Sequence, residues 1–352
     1  MHQLSGQGSR RAASAPRPTE TADLVGGTPL VRLRRLARGG PGAPRLFAKL
    51  ERANPGGSAK DRPAQRMVDQ AWRAGTIGPG STIVESSSGN LGVALAQQAR
   101  ARGLRFICVI DPRTPATTRR LIEAYGGQVH LVDRPDATTG DWLTARIAAV
   151  RHLLTEVPSA WWPNQYASAD NAAAHAEGTM REVVDALDGE IAAVLIATSS
   201  TGTIVGASDH LRQRGLSSLV YAVDAAGSVL FGGARGPREL PGFGAGLVPP
   251  LAERARPDAV LRATDLDCVV GCRRLVDREA LLMGASSGAV VRAAERVLHR
   301  FGPDDNLVLV MHDGGERYLD TVYDDAWVEE HLGCEPDRLA DLVATPTEQL
   351  VA

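Results

Sequence analysis

One lysine of this sequence stands where its amine would be a nucleophile. Lys60 lies in the run 54–62, which reads Asn-Pro-Gly-Gly-Ser-Ala-Lys-Asp-Arg and follows a segment typical of a strand. The Asn-Pro and Gly-Gly pairs predict a tight turn, and Ser58 is suited to cap the helix that follows. The positive end of that helix disfavours a charge on Lys60, so we expect a lowered pKa and an amine that forms imines. A solvated lysine beside a capping serine is the alternative for this segment alone.

A second turn between a strand and a helix carries hydroxyl groups. The run 85–92 reads Glu-Ser-Ser-Ser-Gly-Asn-Leu-Gly, and its hydroxyls converge with free backbone N–H groups at a helix N-terminus. This geometry suits a carboxylate, and Asn90 is placed to donate an amide hydrogen bond to a phenolic oxygen. A serine-rich helix cap without a ligand is the alternative. The predicted carboxylate ligands are Ser86, Ser87, Ser88 and Gly89.

A third turn follows the apolar run 192–197 and precedes another predicted helix. Its hydroxyl and N–H groups are arranged to surround a phosphate at the helix N-terminus. No Gly-Lys-Ser/Thr ending follows, so the turn lacks the lysine that reaches a triphosphate, and a single phosphate group is favoured. A plain polar cap is the alternative. The predicted phosphate ligands are Ser199, Ser200, Thr201, Gly202 and Thr203.

Two further patterns suggest other chemistry. The run 284–288 reads Gly-Ala-Ser-Ser-Gly and matches the elbow of a serine hydrolase, with Ser286 as nucleophile. A catalytic triad would then need Asp304 and His312, and the three earlier turns would have no purpose, so we disfavour a hydrolase. The run 242–246 resembles a dinucleotide turn, but it follows a proline rather than a strand.

The elements that must position these turns alternate between strands and helices. Short β-branched runs are followed by longer stretches of helical spacing, which predicts an α/β fold with parallel sheets flanked by helices. The predicted strands are 45–50, 82–85, 106–111, 128–132, 193–197, 219–224 and 307–311. The predicted helices are 59–74, 89–102, 114–125, 141–154, 171–187, 203–212, 267–282 and 287–300.

Composition excludes several classes of partner. A formal net charge of -2 over 352 residues gives no field for nucleic acid, and 43% hydrophobic residues without a long apolar run argue against a membrane protein. Cysteines are too few and too irregularly spaced for a disulfide framework, so we predict the reducing cytoplasm. Cys268 and Cys272 form at most half of a metal site, and we predict no metal. Residues 1–22 are predicted to be a disordered tail.

In their order, these motifs resemble the fold-type II, or β-family, pyridoxal-phosphate enzymes, which include the cysteine synthases. The resemblance extends over residues 24–327. It implies that Lys60 carries pyridoxal 5'-phosphate as a Schiff base and acts as general base, that Asn90 contacts the cofactor's 3'-oxygen, and that Ser286 lies at its pyridine nitrogen. The turn at 199–203 then holds the phosphate, and Gln165 helps the turn at 86–89 to bind the substrate carboxylate.

The same resemblance implies a two-lobed architecture. Residues 23–52 and 167–333 correspond to a large cofactor-binding domain, residues 53–166 to a small mobile domain, and residues 334–352 to a peripheral C-terminal segment. A homodimer with small-molecule amino-acid substrates is expected.

Further runs are similar to those of the synthases of the 2,3-diaminopropionate pathway, which make N-(2-amino-2-carboxyethyl)-L-glutamate and phosphate from O-phospho-L-serine and L-glutamate for siderophores or peptide antibiotics. Both substrates are anionic, so Arg113, Arg146 and Arg238 are candidate ligands, with a solvated surface position as the alternative for each. A cysteine synthase that uses sulfide with O-phosphoserine or O-acetylserine is a second hypothesis, and a non-catalytic sensor on the same fold is a third. The runs that carry this similarity are 132–137, 164–167, 231–232, 238–242, 272–277 and 317–320.

Overall fold

The seven runs that the sequence predicts as strands are all strands in the computed structural model of the chain, which describes residues 21–36 and 42–345. Three short strands were not predicted: β1, β6 and β9. The strands are β1 (Leu30–Leu33), β2 (Arg45–Leu50), β3 (Thr82–Ser86), β4 (Arg105–Ile110), β5 (Gln128–Leu131), β6 (Ala160–Trp161), β7 (Ala193–Ala197), β8 (Leu219–Ala225), β9 (Ala259–Ala263) and β10 (Asn306–Met311).

The eight predicted helical segments are also helical. The segment predicted at 171–187 is divided by a π-helix, His175–Met180, and two helices after residue 324 were not predicted. The helices are α1 (Asp61–Arg73), α2 (Asn90–Ala101), α3 (Ala116–Ala124), α4 (Trp142–Glu156), α5 (Ala169–Ala174), α6 (Arg181–Ala186), α7 (Gly202–Gln213), α8 (Asp265–Glu279), α9 (Ala285–Val297), α10 (Asp325–Leu332) and α11 (Pro336–Ala344).

The strands form two sheets, which confirms the predicted α/β fold. The larger sheet has the order β1-β2-β10-β7-β8-β9, and the smaller has the order β5-β4-β3-β6. All neighbouring strands are parallel except β1, which runs antiparallel to β2 at the edge. We call the larger sheet with its helices the large lobe and the smaller sheet with its helices the small lobe.

Helices cover both faces of the large sheet, which explains why its central strands read as unbroken apolar runs. All six residues of β10 are buried. Side chains of α8 and α9 pack on one face, and those of α6 and α7 pack on the other. Local signals fix where the helices begin: Thr264 and Asp267 form a capping box at the start of α8.

The structure describes the two predicted end segments only in part. Residues 1–20 of the predicted tail and residues 346–352 lie outside the described residues, and a short 3₁₀ helix already begins at Thr21. Near the other end, α11 packs against α8 and buries Leu339. No helix in the described part of the chain is both long and apolar enough to cross a membrane.

Candidate active site

A cavity between the two lobes brings together most of the residues that the sequence predicted to bind a cofactor. It lies at the carboxyl ends of parallel strands, where α/β sheets bind their ligands. The predicted residues that line it are Lys60, Ser88, Asn90, Gln165, Ser199, Ser200, Thr201, Thr203 and Ser286.

Lys60 is the amine of this cavity. Its half-buried side chain follows β2 and stands at the N-cap position of α1. Burial lowers its pKa from 10.5, against the opposing effect of the carboxylates of Asp313 and Glu51. The predicted direction is therefore right, but the main cause is loss of solvent rather than the helix dipole. Ser58 is not the N-cap as predicted, because α1 begins at Asp61 and Lys60 holds that position; the Ser58 hydroxyl accepts a hydrogen bond from the Lys60 N–H at 3.2 Å.

The chain has only one other lysine, and that lysine is already engaged. Lys49 is buried in the large lobe, where its Nζ donates to Glu182 Oε2 at 2.6 Å and to the Thr28 carbonyl at 2.5 Å. An aldehyde that enters the cavity therefore has Lys60 as its available ε-amine.

The turn at 199–203 joins β7 to α7 and has the shape of an anion site. The first N–H groups of α7 have no partner within the helix, as at every helix N-terminus. Thr201 adopts the left-handed conformation, with φ of 65°. A Cβ at Gly202 would lie 2.1 Å from Asn171 Oδ1, so a side chain does not fit there. Behind the turn, Thr203 Oγ1 lies 3.3 Å from Nε2 of His175.

In the serine-rich turn after β3, one serine lines the cavity and the other two do not. Ser88 and Asn90 line the cavity, whereas Ser86, Ser87 and Gly89 lie outside its lining. Ser87 Oγ accepts a hydrogen bond from Gly92 N at 2.9 Å and so serves the first turn of α2. Ser86 Oγ is buried and lacks a hydrogen-bond partner among the described residues.

The two competing patterns do not form the sites that they suggest. Ser286 lies in the first turn of α9 and faces the cavity, but Asp304 and His312 flank opposite ends of β10, roughly 20 Å apart along the strand. The Asp304 side chain is also 99% exposed. A hydrolase triad is therefore absent from this part of the chain. The run 242–246 lies in a loop without a flanking strand or helix, although Gly242 borders the cavity.

Gln165 and the three predicted arginines differ in their surroundings. Gln165 is buried, and its backbone N–H donates to Glu85 Oε2 at 3.3 Å. Arg113, Arg146 and Arg238 lie outside the cavity lining. Arg146 on α4 is buried, whereas the Arg113 side chain is 65% exposed and pairs with Asp111. Arg238 is half-buried, and its Nη1 donates to the Phe243 carbonyl at 3.2 Å.

Several cavity residues were not predicted to belong to the site. His312 and Asp313 directly follow β10, a position at the ligand-binding edge of a parallel sheet that could have indicated them. Burial lowers the pKa of His312 to about 3, so its imidazole is neutral. Burial raises the pKa of Asp313, and Tyr318 donates to its Oδ2 at 2.9 Å. Tyr166 also lines the cavity.

These residues fit pyridoxal phosphate. The lowered pKa of Lys60 favours the deprotonated amine, which an imine requires, and hydroxyl groups at the N-terminus of α7 line the same cavity. Asn90 and the Ser286 hydroxyl supply polar groups for the ring substituents.

Comparisons with known proteins agree with this fit. The family model described as "Pyridoxal-phosphate dependent enzyme" matches residues 21–313. The chain is 45% identical over 306 residues to the N-(2-amino-2-carboxyethyl)-L-glutamate synthase of Ralstonia nicotianae. The aligned region covers 87% of this chain and 90% of the relative.

Two solved structures extend the comparison to the fold. The O-acetylserine dependent cystathionine beta-synthase of Helicobacter pylori has a TM-score of 0.80 and 28% identity, covering 87% of this chain and 99% of its own. A mutant of O-ureido-L-serine synthase with O-ureido-L-serine bound has a TM-score of 0.78 and 30% identity, and the match covers 90% of this chain and 98% of that one. The predicted cofactor and β-replacement reaction class are thereby confirmed. The chain belongs to the family of pyridoxal-phosphate dependent enzymes.

Proposed function

We propose that this protein joins O-phospho-L-serine to L-glutamate, giving N-(2-amino-2-carboxyethyl)-L-glutamate and phosphate. The 45% identity to a synthase of that name over most of both chains carries the assignment. The product is a precursor of 2,3-diaminopropionate, which a siderophore or a peptide natural product would contain.

Lys60 has two tasks in this reaction. Its amine holds the cofactor, and after the substrate has displaced it, the same amine removes the substrate's α-proton. The lowered pKa supports both tasks because a neutral amine is the form that attacks an aldehyde and accepts a proton. Bound pyridoxal phosphate supplies the electron sink for the α-carbon. The neutral Ser286 hydroxyl at the start of α9 would hold its ring without adding a charge.

Ser88 and Gln165 are placed to receive the substrate's α-carboxylate. Both line the cavity beside Lys60. The backbone N–H groups of Ser86 and Ser87 already donate, to Glu85 Oε1 at 2.9 Å and to the Val109 carbonyl at 3.2 Å, so Ser88 is the better candidate in this conformation. Closure of the small lobe, residues 53–166, would bring this turn over the substrate and exclude water.

Arg146 is the strongest candidate for the phosphate of the donor. It is a buried cation whose Nη1 has no hydrogen-bond partner in the described part of the chain. Its charge acts on Tyr166, which lines the cavity. As the Cβ–O bond breaks, phosphate would leave with its electron pair, and Arg146 would stabilise the departing anion.

Arg238 and Arg113 are candidates for the second substrate at the mouth of the cavity. Burial lowers the pKa of Arg238 against the opposing carboxylates of Asp224 and Asp265, and the charges of Arg235 and Arg113 add to the shift, which places two further positive charges near this guanidinium. This charge suits the two carboxylates of glutamate. The α-amine of glutamate would form the new C–N bond at the β-carbon and lose one proton.

The test is a product assay with competing substrates. Purified holoenzyme is incubated with O-phosphoserine and either L-glutamate or sulfide, and phosphate release and product mass are measured. We expect the glutamate adduct and phosphate in equal amounts. Cysteine formed faster than the adduct would instead support the cysteine synthase hypothesis. Replacing O-phosphoserine with O-acetylserine compares the leaving groups.

Absence of turnover with either nucleophile despite bound cofactor would favour the sensor hypothesis. The 45% identity to a synthase over most of both chains argues against it. We also propose a cytoplasmic homodimer. Light scattering on the purified protein measures its mass, and a monomer would contradict the dimer.

A further inference from the structure

Asp313 occupies a position that none of the proposed roles explains. It follows β10 of the large lobe, is only 4% exposed, and lines the cavity together with Lys60 and Ser286. Its backbone carbonyl accepts a hydrogen bond from Gly284 N at 3.0 Å, so it is joined to the start of α9. A buried carboxylate needs partners, and those of Asp313 identify its role.

The first partner is Asn90, on the other side of the cavity. Asn90 Nδ2 donates to Asp313 Oδ2 at 2.9 Å, although 223 residues separate the two in sequence. The opposite end of the same amide, Asn90 Oδ1, accepts a hydrogen bond from the guanidinium of Arg317. Both ends of the Asn90 amide are therefore hydrogen-bonded to residues that follow β10.

The chemistry of these partners determines which way the Asn90 amide faces. Asp313 Oδ2 accepts hydrogen bonds from both Asn90 and Tyr318, and a guanidinium only donates them. Exchanging the amide's oxygen and nitrogen would set oxygen against oxygen at Asp313 and NH₂ against N–H groups at Arg317. The orientation is thus enforced by two partners at once. The second N–H of Asn90 has no hydrogen-bond partner among the residues that the structure describes, and Asn90 lines the cavity.

The carboxylate itself is held in place. Tyr318 donates to the same Oδ2 at 2.9 Å, and Oδ1 lies against Gly284, where an added Cβ would come within 2.0 Å of it. Oδ1 is buried and has no hydrogen-bond partner among the described residues.

We propose that Asp313 is a positioning residue that fixes the Asn90 amide with one N–H directed into the cavity, toward the cofactor ring. Asp313 acts through Asn90 and need not touch the cofactor. The proposal rests on the role of Asn90 in the proposed function but not on the identity of either substrate.

A double-mutant cycle on cofactor affinity tests this coupling. Apoenzyme is titrated with pyridoxal phosphate, without substrates, for the wild type, Asn90→Ala, Asp313→Ala and the double variant. We expect each single variant to weaken binding about tenfold, and the double variant to bind no more weakly than Asn90→Ala. Additive losses would overturn the proposal, since they would mean that Asp313 acts independently of Asn90.

Two further variants separate positioning from charge and from folding. Asp313→Asn retains an acceptor oxygen facing Asn90 and Tyr318, so its cofactor affinity should stay within about threefold of wild type. A loss as large as that of Asp313→Ala would overturn the proposal in favour of a charge effect. Should the alanine variant not fold, Asp313→Ser, which is too short to reach Asn90, replaces it in the cycle. Because only cofactor binding is measured, a wrong substrate assignment leaves the result intact.

Discussion

Nε of Arg146 lies 3.4 Å from Oδ2 of Asp111, and both side chains are buried in the small lobe. Asp111 also pairs with the exposed Arg113, so one buried carboxylate is shared by two cations. Arg146 therefore keeps N–H groups that have no hydrogen-bond partner among the described residues, and its side chain is buried. A buried cation in this situation is a candidate for binding an anionic substrate.

Replacing Arg146 by glutamine should weaken binding of the phosphorylated donor. We expect the KM for O-phosphoserine to rise about tenfold or more, because a charge-assisted hydrogen bond in a buried site is lost, while cofactor affinity stays unchanged. Steady-state kinetics and cofactor titration measure the two effects. Arg151→Gln, an exposed change on the same helix α4, is the control and should alter neither. An unchanged KM in the Arg146 variant would remove this residue from the site.

Replacing Lys60 by alanine should abolish covalent attachment of the cofactor. We expect turnover to fall by about 10²- to 10⁴-fold, since the variant loses its general base as well. Reduction of the wild-type holoenzyme with borohydride, followed by peptide mass analysis, should place the cofactor on Lys60. Label on Lys49 would contradict this, and the ion pair of that lysine with Glu182 makes it the natural internal control.

A methyl group at Gly202 should disturb both the fold and the cofactor site. The new Cβ would lie 2.1 Å from Asn171 Oδ1, so Gly202→Ala should lower the free energy of unfolding by about 1–3 kcal/mol and weaken cofactor binding. Gly78→Ala is a suitable comparison because a Cβ there meets nothing within 4 Å. Urea unfolding that gave equal stabilities for the two variants would refute the close contact at Gly202.

The stability of the protein should depend on the ionisation of Glu85. Burial raises its pKa to about 7, against hydrogen bonds from Trp162 and backbone N–H groups. The folded state therefore holds a proton that the unfolded state releases near pH 4.5, so this group's contribution to stability is lost as pH rises through about 7.

The variant Glu85→Gln removes this titration. Between about pH 6 and pH 8, the wild type should lose about 1 kcal/mol of unfolding free energy relative to the variant. Urea unfolding of both proteins at the two pH values gives the difference. Asp61, whose pKa burial also raises to about 7, and His312 are common to both proteins, so their contributions cancel in the comparison. Parallel pH profiles would show that Glu85 does not titrate in this range.

Much of the fold and of the cofactor site could be predicted because the signals are local. Each turn at 54–62, 85–92, 198–203 and 284–288 joins a strand or loop to a helix within a few residues, so its polar groups fall at a helix N-terminus wherever the helix packs. The strands of the large sheet were equally visible, because strands buried on both faces need unbroken apolar runs. Short strands such as β6, with two residues, carry too little pattern to be recognised.

Other properties were decided only when distant parts of the chain packed together. The contact between Asn90 and Asp313 joins the two lobes, and no local pattern predicts which carboxylate a cavity will bury. Arg113 and Arg146 looked equivalent in sequence, yet one is exposed and the other buried. The sequence alone thus determined which groups stand at the turns. The tertiary structure decided which side chains become buried and which come into contact. Desolvation by burial is the largest cause of the lowered pKa of Lys60.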